Sequence, residues 1–452
     1  MIKTIEQLAD WLEIKPTEKG VVITGVSINT RTLRPGDLFI PFRGEQANGH
    51  RYVEQAFEAG AAAALWQKDE PNPPKHLPLL IVEDCEVALQ QMARSYRNEL
   101  SATFIGITGS NGKTSTKDLV ASVLKPYFKV QKTKGNYNNE LGLPLTILDL
   151  DEDVKFAVLE MGMSGFGQIR FLSELARPDY AIITNIGEAH MQDLGSREGI
   201  AAAKFEIVAG LESHGKLFYD GDEPLLQPFV EEFPQAVSFG FDQNNELAVA
   251  DIEATESGSS FRVSGIIDAT FSIPVLGEHQ VKNTLSAMLV ALEAGLSEEQ
   301  IRQSLQTAAL TDMRMQIVPA MNGATFINDA YNAAPSSMKA ALRFIHETTM
   351  KEDKWLVLGD MLELGDREQA YHEELAEFIN DDIRGIALYG PRMKWLYDKL
   401  EGTYSGILKW SESEYDDIVT LLEEQLAAES IVLVKGSRGM ALEQVIDPFV
   451  KS

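Results

Sequence analysis

The run TFIGITGSNGKTSTKDLVASVLK, residues 103–125, constrains this chain more than any other. An apolar run, a glycine-rich turn and a stretch with helical apolar spacing follow one another, which predicts strand, loop and helix. That order belongs to a parallel, doubly wound sheet, where the loop's N–H groups and the positive helix end face an anion. Lys113 adds a point charge suited to β and γ phosphates, and Thr114 offers a hydroxyl to Mg²⁺. Gly109, Ser110, Asn111, Gly112 and Ser115 complete the candidate nucleotide loop. The general pattern G-x-x-x-x-G-K-S/T is not met, because Ile107 stands where its first glycine belongs. The context still favours a nucleotide loop over a merely structural turn.

The rest of the chain predicts an α/β protein of three blocks: residues 1–98, 99–312 and 313–452. In the first, VVITGVSI, DLFIPF, AAAALWQ and LPLLIVED read as strands and CEVALQQMARSYRNEL as the closing helix. In the second, KFAVLEMG and DYAIITNIG are buried-strand candidates on either side of the helix IRFLSELA. In the third, ATFIND, KWLVLGD, GIALYG and IVLVKGS alternate with helices. The acidic stretch 411–430 reads as a solvated helix opened by a Ser411–Glu414 capping box, with Ile418, Leu421, Leu422 and Leu426 on one stripe.

Forty Lys and Arg against 68 Asp and Glu give a net charge of −28, which argues against nucleic acid or an anionic membrane as partner. It leaves room for a small anionic ligand held by local cations. One cysteine, Cys85, rules out an intrachain disulfide and suits a reducing compartment. The start MIKTIEQLADWLEI lacks an apolar signal core, and no run reaches membrane-spanning length. The expectation is a cytoplasmic, monomeric protein.

Other candidate residues follow from strand ends. Glu160 ends the run FAVLE, where a Mg²⁺ ligand is expected beside the loop. His190 follows DYAIITNIGEA closely, and its position alone favours neither a ligand nor an ordinary histidine. Lys204, in GIAAAKFEIVAGL, reads from physics alone as a solvated helix lysine. In KTKGNYNNE, Asn136, Asn138 and Asn139 are either turn formers or amides presented to a peptide or sugar. Asp329 with Asn332, Asp360 with Glu363, and Lys435 with Arg438 each follow a strand of the third block. Carboxyl ends of parallel strands share one crevice, so these clusters are expected to form one site.

Taken together, these segments resemble the Mur ligases, ATP-dependent amide-bond-forming enzymes of peptidoglycan synthesis. TGSNGKTS is similar to that family's shortened ATP loop. GNYNNELGLPLT, LEMGM, NIGEAH, AKFE, GEHQVKN, DAYNAAP, LGDMLELG and KGSRGM occur in the family's order along essentially the whole chain. GNYNNELGLP and DAYNAAP are similar to the branch that adds D-alanyl-D-alanine to UDP-N-acetylmuramoyl-tripeptide, and no DNPR motif of the diaminopimelate-adding branch is present. The resemblance implies a UDP-binding first domain, a central ATPase domain and a Rossmann-like third domain.

It further implies ATP and two Mg²⁺ ions, with Lys113 and Thr114 at the triphosphate and Glu160 and His190 at magnesium. It makes Lys204 the carbamylated lysine that binds a second Mg²⁺. Asn283, Arg314, Asp329 and Asn332 correspond to nucleotide-contacting positions, and Thr30, Arg31, Asn48, Gly49 and His50 to the UDP-binding signatures. The chain departs from the family with Asn29 and Asn48 where aspartate is usual, and with Met313 where glycine precedes the arginine. Lys435 and Arg438 are expected to face the dipeptide carboxylate. A folylpolyglutamate synthase-like ligase would lack the first domain, and a P-loop ATPase would turn over ATP without an acceptor. A catalytically dead binding protein sits poorly with the retained Lys113, Thr114, Glu160, His190 and Lys204.

Overall fold

The computed structural model describes residues 1–44, 47–188, 190–255 and 257–450. Ala189 of the NIGEAH motif and the last two residues of the third block lie outside them.

In the first block the strands Gly25–Ser27, Asp37–Phe39, Ala63–Gln67 and Leu79–Val82 lie side by side in chain order, all parallel. The helix Cys85–Glu99 follows, capped by the Asp84 carboxylate, which accepts from the N–H groups of Glu86 and Val87.

The central sheet runs in space as Val130–Lys132, Phe156–Glu160, Thr103–Thr108, Tyr180–Ile183, Lys216–Asp220, Ala236–Gly240 and Leu247–Thr255, all parallel. Gly258–Gly265 and Ala269–Ile273 extend it with antiparallel strands that the sequence reading lacks. The strand Thr103–Thr108 comes first in this sheet's chain order yet lies inside it. From it the chain leaves towards the Val130 edge, then passes back over to Tyr180. A crevice opens at the carboxyl ends of strands where the order reverses in this way.

Helices cover both faces. Lys113–Leu124 and Glu278–Glu293 bury Leu119, Val120, Leu285 and Met288 in one core, and Gln168–Ala176 and Arg197–Phe205 bury Ile169, Leu172 and Ile200 in the other. Continuously apolar strands such as Phe156–Glu160 fit a sheet covered on both sides. The second core also takes in Leu65, Leu89 and Met92 of the first domain.

The third sheet orders its strands Gln316–Pro319, Thr325–Asn328, Ser430–Lys435, Asp353–Gly359, Ile383–Tyr389 and Ile407–Ser411. Its first pair is antiparallel and the others are parallel. One local expectation fails. The acidic helix starts at Tyr415 with no side-chain cap, because Ser411 ends the preceding strand and its hydroxyl bonds instead to the backbone of Glu414. Ile418, Leu422 and Leu426 are buried as expected, whereas Leu421 is only half-buried. Among the described residues no helix is long and apolar enough to cross a membrane.

Candidate active site

The loop after Thr108 needs glycine twice. Gly109 has φ +153°, and a Cβ there would run into the Thr184 hydroxyl. Gly112 has φ +80° immediately before the helix, and its Cβ would come 2.7 Å from Asn283 Oδ1. The neighbouring strand end fixes the loop: Asn185 Oδ1 accepts from Asn111 N at 3.0 Å, and Asn185 Nδ2 donates to Asn111 O at 3.0 Å. Ser110 Oγ accepts from Gly187 N at 2.8 Å. Lys113 Nζ donates to Gly109 O at 2.8 Å, and burial, opposed by Glu160, lowers its pKa from the ordinary lysine value.

Glu160 ends the strand paired to the loop-bearing one and is 3 % exposed. Its Oε2 accepts from Thr114 Oγ1 at 3.0 Å, its Oε1 accepts from Asn138 Nδ2 at 2.9 Å, and Lys117 Nζ lies 3.7 Å away. A hydroxyl and a carboxylate in contact are hard oxygen donors of the kind Mg²⁺ takes, one or two from protein and the remainder from phosphate and water. Among the described residues no group of three or more His, Cys, Asp or Glu gathers into a self-sufficient metal cage. The donor set therefore fits Mg²⁺ bound together with a phosphate.

Lys204 is 2 % exposed on the helix Arg197–Phe205 and forms no ion pair among the described residues. Burial, reinforced by the Lys113 charge, pushes its amine well below the ordinary lysine range. The structure thus overturns the solvated-lysine reading taken from physics alone. His190 has φ +66° just ahead of the short helix Met191–Leu194. Burial, then the charges of Lys204 and Lys113, lower its imidazole, while Asp193 and Glu363 of the third domain pull the other way.

The opposite wall of the crevice comes from the third domain. Lys435 Nζ donates to Asp329 Oδ2 at 2.6 Å and to Asn332 O at 3.0 Å. The Arg314 guanidinium stacks 4.3 Å over the Tyr331 ring, and its buried Nε has no hydrogen-bond partner. A cavity of about 260 Å³ separates the walls, with Lys113, Thr114, Asn136, Asn138 and Glu160 on one side. Arg314, Asp329, Asn332 and Lys435 line the other. Ser110, Gly112 and Ser115 also border it. Asn283 is shared with an adjoining cavity of about 270 Å³ that reaches Thr184, Asn185, Lys282 and Ser337.

Sequence reasoning overlooks Tyr331, Gln280 and Ser337, although Tyr331 sits inside DAYNAAP. It also overlooks Lys282, which bridges Asp220 at 2.5 Å and Asp222 at 2.9 Å. Burial pushes the Asp220 carboxyl up to about 6 despite that partner.

Several expected site residues lie elsewhere. Arg438 is half exposed and paired to Glu443 at 2.7 Å, so the structure does not bring it to the crevice with Lys435. Asp360 is fully buried, its carboxylate spent on the N–H groups of Arg392 and Met393. Asn139 turns its side chain to the N–H groups of Leu141 and Gly142, the turn-former alternative. In the first domain, Thr30, Arg31 and Gly49 border a separate cavity of about 630 Å³. Asn48 and His50 face inward: Asn48 Oδ1 accepts from His50 N at 3.0 Å, Asn48 Nδ2 donates to Glu70 at 3.0 Å, and His50 Nε2 accepts from Gln67 N at 3.1 Å.

Family models described as "Mur ligase family, catalytic domain", "Mur ligase middle domain" and "Mur ligase, glutamate ligase domain" match residues 22–97, 107–291 and 313–438. The chain is 44% identical to the UDP-N-acetylmuramoyl-tripeptide--D-alanyl-D-alanine ligase of Bacillus subtilis, over 100% of this chain and 98% of that protein. The Escherichia coli protein of the same name is 29% identical, over 98% of this chain and 97% of its own length. Among solved structures, MurF from Acinetobacter baumannii matches with a TM-score of 0.88 at 27% identity, covering 99% of both chains. MurF ligase from Thermotoga maritima in complex with ADP matches with a TM-score of 0.84 at 27% identity, covering 94% of this chain and 96% of that one.

Proposed function

Since the chain belongs to the Mur ligase family, we propose that it is the ATP-dependent ligase joining D-alanyl-D-alanine to UDP-N-acetylmuramoyl-tripeptide. The observation that carries this reading is one crevice with cations on both walls, Lys113 opposite Arg314 and Lys435, beside the Thr114–Glu160 oxygen pair. Two anions, a triphosphate and a carboxylate, have to meet there. The named relatives, similar along their whole length, support the particular substrates.

The tripeptide's terminal carboxylate attacks the γ-phosphorus of ATP, the bond to ADP breaks, and an acyl phosphate forms. The free amine of the dipeptide then adds to the acyl carbon. The tetrahedral intermediate expels phosphate, and the amine's proton leaves to solvent. Lys113 and the loop N–H groups hold the β and γ phosphates and offset their repulsion of the carboxylate. Arg314, with its unpartnered Nε, faces the same anion from the other wall. Thr114, Glu160 and His190 would hold one Mg²⁺, which supplies charge neutralisation at the phosphates.

Lys204, whose burial pushes its amine towards the neutral form, is a nucleophile for CO₂. Its nitrogen forms a carbamate and releases a proton, leaving an anion fit for a second Mg²⁺. Lys435 faces the dipeptide carboxylate. Thr30 and Arg31 bind the uridine diphosphate in the cavity of the first domain. The three larger sheets and the three matched spans support domains at 1–98, 99–312 and 313–452. The lone buried cysteine, free of any disulfide, supports a reducing compartment and so a cytoplasmic enzyme.

Heavy oxygen in the tripeptide's terminal carboxylate tests the chemistry. One labelled oxygen is expected in the released phosphate, and unlabelled phosphate would exclude the acyl-phosphate route.

A further inference from the structure

Lys117 sits on the loop-bearing helix, only 3 % exposed, and the chemistry above gives it no role. It follows Thr114 by three residues, so the two share a helix face, and both side chains reach Glu160. Its ammonium stands between two buried carboxylates, 3.7 Å from Glu160 Oε2 and 3.8 Å from Asp118 Oδ1. Both distances exceed hydrogen-bond length, so the charge is shared and tied to neither oxygen.

The two carboxylates differ in what else holds them. Asp118 is locked: its Oδ1 takes Lys132 Nζ at 2.6 Å, and its Oδ2 accepts from Thr311 N at 2.8 Å and Thr311 Oγ1 at 2.5 Å. Glu160 accepts only from neutral donors, Thr114 Oγ1 at 3.0 Å and Asn138 Nδ2 at 2.9 Å. Among the described residues Lys117 is the one cation within 4.0 Å of it. The oxygen that Lys117 faces, Oε2, is also the one bonded to Thr114. A metal ion taken up by that oxygen pair would share Oε2 with the ammonium and be repelled by it.

Resting on the metal reading of the Thr114–Glu160 pair, we infer that Lys117 is a positioning residue that stands in for the metal's charge. It holds Glu160 in place before nucleotide binds, and turns to Asp118 when Mg²⁺ arrives with the triphosphate. Until then its charge keeps free Mg²⁺ off Glu160, and the negative charge of the triphosphate tips the balance. Asp118 is fit to receive it, because Thr311 and Lys132 fix the carboxylate and its Oδ1 has a second lone pair. A buried cation without a partner is costly, and this handover keeps Lys117 beside a carboxylate in both states.

Mn²⁺ takes the same carboxylate and water ligands as Mg²⁺, and paramagnetic resonance reports its binding without turnover. A non-hydrolysable ATP analogue is expected to tighten Mn²⁺ binding to the wild type. Without nucleotide, Lys117→Met is expected to bind Mn²⁺ at least about tenfold tighter than wild type. With the analogue bound, the two should agree within about threefold, because the ammonium has left Glu160. Adding Glu160→Gln to Lys117→Met should abolish the gain. Losing a buried charge endangers the fold, so Asp118→Asn, which keeps an acceptor for Thr311, probes the other end. Without its receiving carboxylate, the analogue-bound protein should bind Mn²⁺ at least about tenfold more weakly. A merely structural lysine would give Lys117→Met no gain, and that result overturns the handover. So does a gain of equal size with and without the analogue, or one that survives Glu160→Gln. Wild-type Mn²⁺ affinity in analogue-bound Asp118→Asn overturns it too, and in each case the metal reading stands. A wild type whose Mn²⁺ affinity the analogue does not improve overturns both.

Discussion

Where the first and central domains meet, Leu89, Met92 and Tyr96 share one apolar core with Leu143 and Leu148. Tyr96 donates its hydroxyl to Leu150 O at 2.7 Å, and Arg97 donates to the carbonyls of Ala176 and Arg177 at 2.7 Å each. Where the central and third domains meet, Leu276 reaches the third domain's core, and the described residues show two side-chain hydrogen bonds, Asn111 Nδ2 to Ser336 Oγ at 3.2 Å and, at the linker itself, Gln316 Nε2 to Asp312 Oδ1 at 3.2 Å. The remainder of that boundary is polar cavity wall. An apolar core shared across a boundary makes one rigid unit, whereas a polar cleft crossed by few contacts permits motion. The first boundary is built to hold a large substrate still and the second to open for nucleotide and product.

Substitutions across the moving boundary should therefore register in turnover, and those across the fixed one in stability. The largest effect belongs to Lys113→Ala, which is expected to lower kcat about a hundredfold to a thousandfold with little change in the unfolding midpoint. Steady-state kinetics beside thermal unfolding checks it. Arg97→Ala reverses the pattern. Loss of two buried hydrogen bonds and the stacking on Phe104 at 4.2 Å is expected to cost about 2–4 kcal/mol by denaturant unfolding, with kcat of the folded fraction retained.

Lys204 sharpens the comparison through pH. Its folded-state pKa lies below the unfolded value, so between the two the unfolded chain binds a proton that the native chain does not. Stability then rises with pH from the folded pKa up to the unfolded one, and is lost as pH falls back through that window. In carbonate-free buffer, Lys204→Met should remove up to about 1.4 kcal/mol per pH unit from that slope. An unchanged slope would show that the amine is protonated in the native state. The smallest effect is expected at Arg438, exposed and paired within its own segment. Arg438→Ala should leave the dipeptide KM within about twofold, as for a surface ion pair, whereas Lys435→Ala raises it.

Much of this was legible in residue order. The strand, glycine loop and helix around Lys113 carried their own signals, and Glu160 followed because strand ends share a crevice. The long helix Glu278–Glu293 was not legible as an element, because it is buried on nearly every side and shows no polar face to set a period. Lys204 read as a solvated charge from physics alone, since nothing local records what packs over a helix. The family resemblance set Asn48 and His50 at a UDP-binding signature. Only the fold shows them turned onto Glu70 and the backbone of Gln67. The family's glycine, replaced here by Met313, does mark a position of positive φ.

The central claim is amide ligation specific for a D-dipeptide, and acceptor-dependent phosphate release tests it most directly. With ATP and Mg²⁺ present, release is expected only when UDP-N-acetylmuramoyl-tripeptide and D-alanyl-D-alanine are supplied together. Release without an acceptor, or with a free amino acid but not the dipeptide, would contradict the account.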